Sequence, residues 1–188
     1  MICIVPRENA IGANSSKRFT GDQVRRSIYW SLLSTVPAGI SYSAEGVSEW
    51  NTTKQPPGQA ESDLPLWQKS IFLPAAKQVS ALYRFVNSIE FWRLQPQPGF
   101  VSNPAGTQTP VNFIAAAGTE AKDLTVAYTP EERTLEITMD ALPASPIVSW
   151  FNPRTGENSP AVAVVGGRTC QFPTPDPGDW VLLLKAGK

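Results

Sequence analysis

The segment Gln95-Pro96-Gln97-Pro98-Gly99 constrains this chain more than any other. Its two prolines each fix φ and lack a backbone N–H, so neither a helix nor a central strand can run through them. Before this segment, apolar residues recur at helical spacing. After it they gather in short runs set off by turn residues. The change of pattern is read as a domain boundary, with an α/β part over residues 1–95 and an all-β part over residues 96–188.

In the first part, Thr20 and Gln23 have the spacing of a capping box, and Phe19 with Val24 that of a hydrophobic staple. A helix is predicted from there to about Ser34, with Val24, Ile28 and Leu32 on one face and Pro37 ending it. Residues 39–43 follow as a short strand. Residues 51–63, rich in Thr, Gln, Pro, Gly and Ser, read as a surface loop. A second helical pattern covers residues 66–88, divided at Pro74, which suits the first position of the later helix.

In the second part, strands are expected at residues 111–116, 124–129, 134–138, 147–151, 161–165, 169–172 and 180–184. Their spacing is that of an antiparallel β-sandwich. Asn152-Pro153 stops one of them and Gly156 supplies a turn. Pro175-Asp176-Pro177-Gly178 launches the run from Trp180, read as the closing strand. Gly166-Gly167 suits a two-residue hairpin turn.

Lys+Arg and Asp+Glu both number 16, which gives no electrostatic reason to expect nucleic acid or an anionic membrane as partner. No apolar run reaches the ~20 residues of a membrane span. The chain has no histidine, which removes Ser-His-Asp and Cys-His catalysis and the usual zinc sets. Cys3 and Cys170 make neither a disulfide framework nor a metal site and read as buried free thiols. No cofactor and no metal are expected. Residues 1–6 are too short and too quickly charged for a signal peptide.

The motifs Asp22-x-x-Arg25-Arg26-Ser27-Ile28-Tyr29-Trp30, Ala38-Gly39-Ile40-Ser41-Tyr42, Leu73-Pro74-Ala75-Ala76 and Phe91-Trp92-Arg93-Leu94-x-Pro96 resemble the last stretch of a (β/α)₈ barrel in apiosidase-like glycoside hydrolases. Trp150-Phe151-Asn152-Pro153-Arg154-Thr155-Gly156 and Gly178-Asp179-Trp180-Val181-Leu182 are similar to the β-sandwich that follows such barrels, described as a "putative collagen-binding domain of a collagenase". The resemblance implies terminal βα units of a (β/α)₈ barrel followed by an antiparallel sandwich. It also implies a parent that is secreted or periplasmic, and a polysaccharide or collagen-like ligand. Residues 1–95 supply two βα units at most, so this chain alone is not expected to hydrolyse glycosides. The expected role is a non-catalytic, accessory or binding region of a glycoside hydrolase-like protein. Two rivals stand beside it: a glycosidase fragment active only with missing N-terminal strands, and a purely structural sandwich buttressing the barrel. Helices and a strand without their barrel neighbours would also favour self-association through residues 20–90.

Glycoside hydrolysis needs two carboxyls roughly 5–10 Å apart. Glu8, Glu45 and Glu49 are the candidates. Glu8 lies near the place of a late-strand glutamate in the resembled family, although Arg7-Glu8-Asn9-Ala10-Ile11 departs from that family's pattern. The ordinary alternative for all three is a solvated carboxylate on a loop. Trp50 and Trp67, flanking the polar loop, are candidates for stacking on a ligand, whereas Trp30, Trp150 and Trp180 read as core. Arg154 could bind a carboxylate. Its commoner use would be to hold the 152–156 turn by hydrogen bonds to backbone carbonyls.

Overall fold

A computed structural model describes residues 3–4, 7–11, 17–35, 39–54, 56–57, 64–102 and 112–187. The Pro37 helix stop and the Cys3 thiol lie outside the described residues and side chains. Contacts divide the chain into two compact units: residues 1–28 with 37–80, and residues 29–36 with 81–188.

The first unit opens with two short strands, β1 (Cys3–Ile4) and β2 (Arg7–Glu8), followed by helix α1 (Gly21–Ser34). The helix starts as its sequence predicts. Thr20 N–H donates to Gln23 Oε1 at 2.9 Å, and Gln23 N–H returns to Thr20 Oγ1 at 3.4 Å. The strand expected over residues 39–43 forms as two pieces, β3 (Gly39–Ile40) and β4 (Ser43–Ala44). β3 pairs parallel with β1, and β4 pairs parallel with β2. Parallel neighbours need a crossover, and α1 is that crossover. Helix α2 (Trp67–Ser70) and helix α3 (Pro74–Asn87) complete the helical part, with Pro74 opening α3. Both α1 and α3 contribute their first turns to the first unit and their last turns to the second.

The second unit is built on antiparallel sheets. Its strands are β5 (Gln95–Pro96), β6 (Ala115–Gly118), β7 (Leu124–Thr129), β8 (Thr134–Thr138), β9 (Pro146–Phe151), β10 (Asn158–Pro160), β11 (Val164–Gly166), β12 (Thr169–Pro173) and β13 (Trp180–Ala186). Six form one sheet in the order β10-β9-β13-β7-β6-β5, and three form another in the order β11-β12-β8. Trp150, Trp180, Leu182 and Ala127 of the larger sheet share one buried cluster with Leu135, Ile137, Cys170 and Phe172 of the smaller. Cys170 is a buried free thiol, as its sequence suggested.

Several boundaries differ from the sequence reading. The strand expected at 111–116 is Ala115–Gly118, and residue 111 lies outside the described residues. Of the run 161–165 only Val164 and Val165 lie in a strand, β11, and residues 161–163 connect it to β10. The hairpin turn is Gly167-Arg168, one residue later, since Gly166 pairs with Thr169 and Gly167 takes φ of 64°. β13 is central to its sheet, between β9 and β7, rather than a closing strand. β5, which the sequence reading missed, sits at the sheet edge, the place where proline is tolerated.

All six residues of β7 are buried, so both faces of that strand are covered. Ala127 points into the core between the sheets. Its neighbour Tyr128 points the other way and stacks on Tyr29 of α1, ring centroids 5.0 Å apart. Phe151 likewise stacks on Phe85 of α3 at 4.7 Å. The last turns of the two helices thus pack within the second unit on the outer face of the six-stranded sheet.

Candidate functional site

In the first unit β2 places Arg7 and Glu8 side by side, and strand alternation sends their side chains to opposite faces. Arg7 remains partly exposed at the turn that follows β4. In that turn Gly46 adopts φ of 91°, a left-handed conformation that glycine takes without a Cβ penalty. Its N–H donates to Glu49 Oε2 at 2.9 Å. Arg7 Nη2 reaches Glu49 Oε1 at 2.7 Å and Glu45 Oε1 at 3.2 Å. One guanidinium nitrogen therefore gathers two carboxylates.

The two acids are pushed apart in acidity. Burial and the neighbouring charge of Glu49 hold the Glu45 carboxyl above its ordinary range, against the pull of Arg7. Glu49 is opposed by burial, yet the backbone donors at Gly46 and Glu49, the hydrogen bond with Glu45, and Arg7 bring it below that range. A split of this kind is what acid and base pairs use. The geometry differs from theirs, because these carboxyls touch each other, whereas a glycosidase pair leaves roughly 5–10 Å for the sugar and water.

Glu8 is turned inward and only 2% exposed. Its Oε2 accepts from the Tyr42 hydroxyl at 2.7 Å and from the Ala75 N–H, in the first turn of α3, at 3.2 Å. A carboxylate at a helix N-terminus is favourably placed against the helix dipole. The start of α1 comes close as well: a Cβ on Gly21 would lie 2.8 Å from Glu8 Oε1, an approach only glycine permits. Burial and the Glu8 carboxylate hold the Tyr42 phenol protonated well above its usual range. Glu8 and Glu45 are thus held by different partners on opposite sides of the short strands.

Trp50 and Trp67 come together, stacked with ring centroids 4.7 Å apart and planes 9° from parallel. The loop between them closes through Asn51, whose N–H donates to Gly46 O at 2.8 Å and whose carbonyl accepts from Trp67 N–H at 3.0 Å. Trp50 has φ of 51°, uncommon for a bulky residue, and remains 62% exposed.

Arg154, in the second unit, is engaged throughout its length. Its N–H and Nε donate to Asn152 Oδ1 at 2.9 and 3.0 Å, Nη1 to the Pro177 carbonyl at 2.8 Å, and Nη2 to Asp176 Oδ1 at 2.9 Å. Its guanidinium lies 5.2 Å from the centre of the Trp180 ring. It ties the 152–156 turn to the turn before β13, and a Cβ at Gly178 would collide with it. Sequence reasoning missed Arg7 and Tyr42 as partners of the candidate acids. The signal available was the alternation along β2, which is only two residues long. Among the described residues no group of three or more His, Cys, Asp or Glu side chains is placed to hold a metal ion.

Residues 7–93 match the family described as "Apiosidase-like, catalytic domain", and residues 101–185 match "Putative collagen-binding domain of a collagenase". No curated protein matches the sequence. Among solved structures, one titled "Glycoside hydrolase" aligns with a TM-score of 0.78 at 16% identity, covering 96% of this chain and 41% of that one. A glycoside hydrolase family 5 structure from Bacteroides vulgatus ATCC 8482 aligns with the same TM-score and identity, covering 96% of this chain and 40% of that one. At that identity the likeness is one of fold. The chain spans about two fifths of the length of either structure.

Proposed function

We propose that this chain, apiosidase-like over residues 7–93 and matched over residues 101–185 by a family named for collagen binding, is a non-catalytic region of a glycoside hydrolase-like protein. In this reading residues 1–95 are the terminal βα units of a (β/α)₈ barrel. Residues 96–188 are a sandwich that serves as a binding or accessory domain for a polysaccharide or collagen-like ligand.

The observation that carries the reading is how the candidate carboxylates are used. Glu8 is buried against Tyr42 and the start of α3, and Glu45 and Glu49 are drawn together on Arg7. Neither arrangement leaves an acid and a nucleophile facing each other across a sugar-sized gap. Purified chain incubated with aryl glycosides and pectic oligosaccharides is expected to release no product above background. Turnover that disappears in Glu45→Gln would overturn the reading.

One observation favours a second reading, a glycosidase fragment that needs further barrel strands: Glu45 is raised and Glu49 lowered in pKa, with the Trp50–Trp67 stack in the segment that follows. Under that reading turnover appears only when the missing strands are supplied, and it depends on both Glu45 and Glu49.

A further inference from the structure

The second unit carries a groove that none of the residues above accounts for. The 3₁₀ turn Phe91–Arg93 holds Trp92 outward, 67% exposed. A single exposed apolar side chain is common and means little alone. Trp92 differs in its surroundings. It borders a hollow of about 350 Å³ whose wall includes Asn87, Arg93, Asp123 and Lys185. Arg93 also lines a second hollow of about 440 Å³, with Gln95, Thr119 and Glu120. Both hollows are open to solvent, so a ligand there would lie along the surface rather than be enclosed.

The polar groups around the indole are paired with one another or with the backbone. Arg93 donates to Glu90 Oε2 at 2.5 Å and through Nη2 to the two Asp123 oxygens at 2.9 and 2.8 Å. Thr119 donates to the same carboxylate, and Lys185 Nζ donates to the Ser88 carbonyl at 2.9 Å. The turn itself is closed by Arg93 N–H to Glu90 O and Leu94 N–H to Phe91 O, both 3.0 Å. In the hollow that Trp92 borders, two cations stand among two anions, so it is rich in hydrogen-bonding groups while its lining carries no net charge; the second hollow adds Glu120.

We propose that this groove binds a neutral oligosaccharide, with one pyranose ring lying on the indole of Trp92. The proposal deepens the binding-domain reading and rests on it. A sugar ring presents C–H bonds, weakly positive, to the negative face of an aromatic ring. Its hydroxyls both donate and accept, so they can meet Asn87, Asp123 and Arg93 without breaking the existing ion pairs. Arg93 already pairs with Glu90 and Asp123, so a uronate or an amino sugar would give up the hydration of its own charge without meeting a net counter-charge in this hollow, which favours a neutral sugar.

The test is affinity electrophoresis of the full chain in native gels containing a soluble galactan, xyloglucan or galactomannan, with polygalacturonate and gelatin as separate arms. The wild type is expected to be retarded by at least one neutral polysaccharide. Trp92→Ala should weaken that retardation at least about tenfold, the factor equivalent to about 1.4 kcal/mol. Its melting temperature should stay unchanged. Trp92→Tyr should keep most of the binding, and Tyr83→Ala, which removes another exposed aromatic, should keep all of it. Retardation that survives Trp92→Ala, or that occurs only in polygalacturonate, overturns the site. Binding to gelatin alone overturns the site and leaves the binding-domain reading standing. No retardation in any arm overturns both.

Discussion

Glu8 accepts from Tyr42 and from the Ala75 N–H, so removing its carboxylate leaves two donors without their acceptor. Each buried donor left unpaired costs roughly 1–3 kcal/mol. Glu8→Ala is therefore expected to lower the unfolding free energy by roughly 1–3 kcal/mol for each donor, read as a lower denaturant midpoint, and Glu8→Gln, which keeps an acceptor oxygen, by less. Equal midpoints for wild type and Glu8→Ala would remove the structural role assigned to this residue. Glu45 gives a prediction of the opposite kind. Its folded pKa is raised, so the stability it contributes is complete below the ordinary glutamate value near pH 4.3 and is lost as pH rises through the raised value. Glu45→Gln should raise the melting temperature more at pH 7 than at pH 4. A constant difference across that interval would mean that burial and the neighbouring charge of Glu49 do not raise it.

At the level of elements, the capping box of α1 is formed as its sequence suggests, and its loss has a known scale. Thr20→Ala removes the acceptor for Gln23 N–H and should cost about 1 kcal/mol. Chemical denaturation of the two proteins is the check, and an unchanged midpoint would mean the helix is set by packing alone. Signals confined to a few neighbouring residues were legible throughout: this cap, Pro74 opening α3, Gly156 in its turn, and the strands β7 and β8. What depended on partners distant in sequence was not. Nothing in the run from Trp180 says that it lies between β9 and β7, because a strand buried on both faces looks alike at any inner position. The Gly167-Arg168 turn was displaced by one residue because Gly166 and Gly167 offer the same local chemistry, and only the Gly166–Thr169 pairing decides between them. At the candidate site the acids could be named from sequence. Their partners could not, since Tyr42 and Arg7 are brought to them by parallel strands that are two residues long.

For the molecule as a whole, the outer face of the six-stranded sheet makes the second unit more than its strands. Tyr128 and Phe151 are covered by Tyr29 and Phe85, which lie before the proline-rich segment. A fragment beginning at Gly99 keeps the core between the sheets and is expected to melt cooperatively. One beginning at Ala81 recovers Phe85 and should melt higher; equal midpoints would mean that this cover contributes nothing. We further propose that the chain self-associates through residues 20–90. Phe72 is 67% exposed there, and among the described residues each parallel pair has no third strand. Light scattering over a hundredfold dilution should show the mass fall, and a single monomeric mass throughout would reject this. The central position of β13 has one more effect, on timing. β9 and β7 both hydrogen-bond to a strand that is the last of the six to leave the ribosome. Until residues 180–186 emerge, the two halves of the sheet have no common neighbour. Their apolar faces wait exposed, and a nascent chain stalled before Trp180 would be a substrate for chaperones rather than a partly finished domain.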